Sequence, residues 1–163
     1  MLNQNHIASQ FENKVRVRVC GILKENDQIL LLKHDKIGPA GFLWSPPGGG
    51  VDFGITLEET LKNEFAEETN LEIEVMDYLF TNEFIAKRHH AIEIFYLVKR
   101  ISGTLALGND PELPPEKQIL REARFFSAEE LDSLPENTIH NAFNAANARD
   151  KITELKGLFT FKH

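Results

Sequence analysis

From Val15 the segment VRVRVCGIL sets β-branched residues against arginines at alternate positions, a pattern that predicts a half-exposed strand. A turn at Asn26-Asp27 follows, and QILLLK from Gln28 predicts a returning strand, more buried at its centre. Charge, glycine and proline between Asp35 and Phe42 predict a loop, and FLWS a short extended piece before the turn SPPGGG. The next stretch carries the best-supported helical pattern in the chain. Thr56 stands as N-cap with Glu59 at capping-box spacing, and Leu57, Leu61 and Phe65 recur at intervals of four as a buried stripe. Asn70 closes the pattern, because asparagine tolerates the left-handed conformation used at helix ends.

LEIEVMDYLFTNEFIA from Leu71 and HHAIEIFYLVKR from His89 predict two more strands, the second central in a sheet. Glycine and prolines between Gly103 and Arg121 predict a long exposed connection. EARFF predicts a short strand, Ser127 with Glu130 a second capping box, and the chain from Asn137 through about Lys156 a terminal helix. Strand, strand, helix, several strands, helix, helix is the order of an α/β protein whose mixed sheet is covered by helices. Without repeat, heptad or internal linker, residues 11–158 are expected to form one domain after a polar lead-in over residues 1–10.

Composition narrows the function classes. A chain of 163 residues suits a single domain with a real core, and its formal charge of -7 argues against stable binding to nucleic acid or an anionic membrane. A bound cation would reverse that field locally, so a phosphorylated small molecule stays admissible. Cys20 is the only cysteine, which rules out an internal disulfide. MLNQNHIASQ lacks a basic region followed by an apolar core, and no apolar run approaches membrane-spanning length, so the expected location is cytoplasmic.

Against this excess of negative charge, Glu64, Glu67 and Glu68 crowd one helix. Glu64 and Glu68 are four apart and Glu64 and Glu67 three apart, so the side chains can converge. Like charges at these spacings cost only a few tenths of a kcal/mol when exposed, so a solvated surface is one reading. The other is a site for a divalent cation: Mg²⁺ takes oxygen ligands, waters and substrate phosphate oxygens, and the preceding glycines can bring backbone close. A P-loop is excluded, because the glycines lack the following lysine and serine or threonine.

The segment from Gly49 to Leu71 resembles the Nudix box of the MutT-like pyrophosphohydrolases, whose core here falls on NEFAEETNL. Trp44 followed by PPGGG resembles the turn before the box, and EARFFSAEEL a late strand-to-helix segment of that family. The resemblance implies an α/β/α sandwich and Glu64, Glu67 and Glu68 as ligands of Mg²⁺ or Mn²⁺, with Gly49 contributing backbone. It implies a nucleotide-derived diphosphate as substrate and Glu116 as a loop candidate for the general base. Arg18, Lys33, Trp44, Gly48 and Gly49 are substrate-contact candidates, Phe42, Phe84 and Tyr96 further aromatic ones. Glu122 and Glu93 can face the site or pair elsewhere, whereas His89 and His90 point oppositely on a strand and read as strand-end residues.

The departures are specific. Ile55 stands where the family has its first box glutamate, Asn63 where it has an arginine, Asn70 in place of the last glycine and Phe65 in place of an aliphatic. Asp52 is a candidate for part of the missing acidity. Two function classes follow: a metal-dependent hydrolase, or a worn Nudix scaffold that binds a nucleotide or a protein with little turnover. Either is compatible with a homodimer.

Overall fold

Alternation along the first strand puts Val19 and Leu23 in one buried cluster and Cys20 and Ile22 in another, so the strand is the wall between two cores. The computed structural model describes residues 12–111 and 113–163; the lead-in over residues 1–10 lies outside them. The elements are β1 (Lys14–Glu25), β2 (Gln28–Asp35), β3 (Phe42–Ser45), β4 (Gly48–Gly50), α1 (Leu57–Thr69), β5 (Leu71–Ala86), β6 (His89–Gly103), β7 (Leu120–Phe126), α2 (Ala128–Ser133) and β8 (Gly157–Lys162).

The strands run in the order β3-β2-β1-β6-β5-β8, with β4 added to β1 and β7 to β2. β1 is parallel to β6 from Lys14 opposite His89 to Leu23 opposite Val98, and β5 is parallel to β8. β5 and β6 pair antiparallel, as do β1 with β2 and β4, and β2 with β3 and β7, so the sheet is mixed. On one face Leu61 and Phe65 of α1 meet Val19, Leu23, Leu30, Leu71, Ile73 and Val98. Gly21 lets this contact close, because a Cβ there would press on the Phe65 ring. On the other face Cys20, Ile22, Trp44, Phe80, Phe95 and Phe126 are covered by Leu131 of α2 and by Ile139, Phe143 and Ile152 from the turns after it. The result is the expected α/β/α sandwich.

Two local expectations are corrected. Gly48–Gly50, expected as a turn, is the strand β4, with Arg18 opposite Gly50, Val19 opposite Gly49 and Cys20 opposite Gly48. A side chain at Gly48 would strike the Val19 carbonyl, so only glycine lets the two backbones come this close. The terminal helix expected from Asn137 to about Lys156 is instead three 3-10 turns, Glu136–Thr138, Asn141–Ala145 and Arg149–Glu154, followed by β8. The physical reason is asparagine: Asn137, Asn141, Asn144 and Asn147 interrupt the stretch, and Asn144 and Asn141 spend their amides on Glu136 and Asn82.

Candidate functional site

Helix α1 presents the acids, and both its ends are fixed by local sequence. The Thr56 Oγ1 accepts from the Glu59 N–H at 3.1 Å, and the Glu59 carboxylate accepts from the Thr56 N–H at 3.0 Å. Asn70 takes the left-handed conformation at φ 59°, ψ 24° and donates its N–H to the Ala66 carbonyl. The long connection after β6 then doubles back along the helix end. N–H groups of Ala106, Gly108 and Asn109 donate to the carbonyls of Thr69, Glu68 and Glu67, which a helix otherwise leaves without partners. Gln118 closes this connection: its carbonyl accepts from the Asp110 N–H, and its amide donates to the carbonyls of Asp110 and Leu113.

With Leu61 and Phe65 sunk in the core, Glu64 and Glu68 turn toward β4. Glu68 is buried, and its Oε2 accepts from the Gly48 N–H at 3.2 Å. Its Oε1 lies 3.9 Å from His34 Nε2 of β2, and His34 Nδ1 is 3.3 Å from the Ser45 hydroxyl. Glu64 is half-buried against Gly49, where any Cβ would collide with the carboxylate. Glu67 is exposed. Burial first, then repulsion from Glu68 and Glu67, pushes the Glu64 carboxyl up to about 8; Arg18 opposes the rise and Asp110 adds to it.

Behind β4, β1 carries the cation that faces these acids. Arg18 lies opposite Gly50 on one side and opposite Glu93 of β6 on the other, with its Nε 3.6 Å from Glu93 Oε1. Burial alone would raise the Glu93 carboxyl. Attraction to His140 and its hydrogen bond, followed by Arg18 and Asn82, hold it down at about 2 instead. The Glu93 Oε2 accepts from His140 Nε2 at 2.9 Å and from the Asn82 amide at 2.8 Å. Cys20 shares this wall; burial, then Glu93, pushes its thiol up to about 12, so it stays protonated.

The other sequence candidates scatter. Trp44 is buried with its ring edge-on to Phe126 at 4.7 Å, which makes it a core residue rather than an open stacking surface. The Lys33 ammonium lies over the Phe42 ring at 4.7 Å. Glu116 is exposed on the 3-10 turn Pro115–Lys117, and among the described residues no hydrogen bond or ion pair joins it to the acids of α1. Glu122 pairs with Arg124, and His90 with Glu83, while His89 is exposed. Phe84 stacks on Phe161, and Tyr96 meets Tyr78 edge-on. Ile55, Asn63 and Asp52 are all exposed. Sequence reasoning passed over Asp110, His34, Asn82 and His140. Each reaches the site through sheet pairing or a loop clasp, and no spacing along the chain signals that.

Among the described residues no three His, Cys, Asp or Glu side chains form a ready-made enclosure for a metal ion. The residues nevertheless fit a hydrated divalent ion that completes its shell with water and phosphate oxygens. Burial, then the charges of Glu68 and Glu67, raises the Glu64 carboxyl, a crowding that a cation would relieve, and Gly49 leaves that carboxylate its room. Among the described residues no helix is long and apolar enough to cross a membrane.

Comparison with known proteins bears on this geometry. Residues 12–147 match the family model described as the NUDIX domain. The chain is 34% identical over 121 residues to the ADP-ribose pyrophosphatase of Methanocaldococcus jannaschii, a match spanning 73% of this chain and 64% of that relative. The chain thus covers less than two thirds of the relative's length. Among solved structures it resembles a MutT NUDIX hydrolase from Burkholderia pseudomallei, with a TM-score of 0.63 and 26% identity over 78% of this chain and 92% of that one. It also resembles a NUDIX hydrolase from Nitrosomonas europaea, with a TM-score of 0.64 and 16% identity over 77% and 80% of the two chains, a likeness of fold alone.

Proposed function

The chain belongs to the NUDIX domain family, and on that premise we propose that it hydrolyses the diphosphate linkage of a nucleoside diphosphate derivative with the help of Mg²⁺ or Mn²⁺. The observation that carries this reading is the Glu64–Glu67–Glu68 cluster at the glycine strand: Gly48 N–H fixes Glu68, and Gly49 gives Glu64 its space. A divalent ion bound there would offset phosphate charge and make an attacking water more acidic. Everything else falls to the chain's own groups.

Glu64, Glu67 and Glu68 are the residues that would hold the ion in this reading. Gly49 adds backbone to the same corner. Arg18 meets the diphosphate from the β1 side and opposes the charge that develops on its oxygens. Asp110, held by the Gln118 clasp beside the C-terminal end of α1, adds negative charge that acts on Glu64. Glu116 is the loop candidate for proton abstraction. The substrate class follows the M. jannaschii relative, whose name makes ADP-ribose the first compound to try. The partner is thus a small molecule and the location cytoplasmic.

The test is a panel of nucleoside diphosphate derivatives, ADP-ribose included, incubated with purified protein and Mg²⁺ or Mn²⁺. Release of a mononucleotide that stops on chelation is the expected result. Retention of ligand without metal-stimulated turnover across the panel would favour the worn-scaffold reading that Ile55 and Asn63 raise.

A further inference from the structure

The buried polar group around Glu93 has no part in the chemistry above, yet its parts are divided with care. Both protein donors, the imidazole of His140 and the amide of Asn82, converge on Glu93 Oε2. Each donor is itself held. His140 Nδ1 accepts from the Ala142 N–H, and its backbone N–H donates to the Trp44 carbonyl. The Asn82 and Asn141 side chains exchange hydrogen bonds. Oε1 is thereby left to face one group, the Arg18 Nε at 3.6 Å.

That Nε is buried and, among the described residues, lacks a hydrogen-bond partner, while the Arg18 side chain keeps 30% of its surface exposed. The Nε edge of the guanidinium is therefore aimed at Glu93, Cys20 of the same strand also lies against the arginine, and the exposed part of the side chain is what a ligand can reach. Arg18 is flanked by β4, whose glycines touch Glu64 and Glu68, and by β6, which carries Glu93, and its charge acts on Glu93, Glu68 and Glu64 together. An unheld arginine would lose rotamer freedom on meeting an anion, and one already fixed avoids that cost.

We propose that Glu93 is a positioning residue which orients the Arg18 guanidinium toward the diphosphate beside the glutamate cluster, with His140 and Asn82 holding Glu93 for that task. The inference rests on the reading of Arg18 as a phosphate contact. A purely structural Glu93 would alter stability and leave anion affinity alone, which separates the two roles.

The experiment is calorimetric binding of inorganic pyrophosphate in saturating Mg²⁺ to wild type, Arg18→Gln, Glu93→Gln and the double variant. Each single change is expected to weaken binding about tenfold, and the double variant to lose no more than Arg18→Gln alone. Wild-type affinity in folded Glu93→Gln, or losses that multiply, would overturn the proposal. A second measurement needs no variant: the Arg18 Nε–Hε group of the free wild-type protein should be as rigid as the backbone in NMR relaxation. Mobility equal to that of the exposed Arg88 would overturn the proposal whatever the variants do. Neither readout requires turnover, so a wild type that fails to hydrolyse counts against the proposed function and leaves this inference to its own test.

Discussion

Glu64 concentrates the tension of the site in one side chain. Its carboxyl lies between a glycine strand and two further acids, and burial with repulsion raises it to about 8. Folding therefore strengthens its hold on a proton, and the stability linked to that proton is present below the ordinary carboxyl value and lost as pH rises through about 8. Metal-free wild type is expected to lose thermal stability between about pH 5 and about pH 9, and Glu64→Gln to lose less. Above about pH 8 the variant should be the more stable by roughly 1 kcal/mol, as is common when a strained functional group is removed. Melting curves of both proteins in chelator check the sign; a wild type that gains stability over that range relative to the variant contradicts it. Gly49 belongs to the same scale. Gly49→Ala would drive a methyl into the Glu64 carboxylate, so turnover is expected to fall at least about tenfold while β4 stays paired. Kinetics with a melting control read that outcome.

At the scale of elements, α1 is held from two directions: by its capping box at the start and by the connection after β6 at its end. Gly108 is the tightest point, since a Cβ there would meet the Glu67 carbonyl. Gly108→Ala is expected to cost about 1–3 kcal/mol and to lower turnover by shifting the loop that carries Asp110. Chemical denaturation and kinetics would show both, and an unchanged variant would mean that the connection does not support the site. The helix itself was legible in the sequence, because Thr56, Glu59, Leu61, Phe65 and Asn70 each act within a turn or two of themselves. So was β1, where alternation of valine and arginine reports a strand with two different faces. The glycines of β4 carry the local pattern of a turn, because their pairing partner, β1, lies far back in the chain and leaves no local mark. In the C-terminal segment apolar residues among many asparagines mimic a helical stripe, although the chain there forms 3-10 turns and a strand. In retrospect Gly157 and the alternating LFTFK mark β8.

For the molecule as a whole, the parallel pairing of β1 with β6 joins the two halves of the site across the wall between the cores. The acids lie toward α1, and the Glu93–His140–Asn82 group toward the turns after α2, with Arg18 between them. This is why the candidate site was only half visible beforehand. Three glutamates on one helix advertise themselves by spacing, whereas Asp110 and His34 approach them, and His140 approaches Glu93, through contacts that only the folded chain creates. Ile55 and Asn63, the two departures from the family pattern, are both exposed, so neither change leaves a gap in a core. The central claim is that the cluster on α1 is the seat of metal-dependent hydrolysis. Its most direct test is the rate of ADP-ribose cleavage in saturating Mg²⁺ by wild type, Glu67→Gln and Glu68→Gln, with melting temperatures taken alongside. The account predicts cleavage by wild type and a loss of about a hundredfold or more in both variants without loss of fold. Equal rates in all three folded proteins would contradict it.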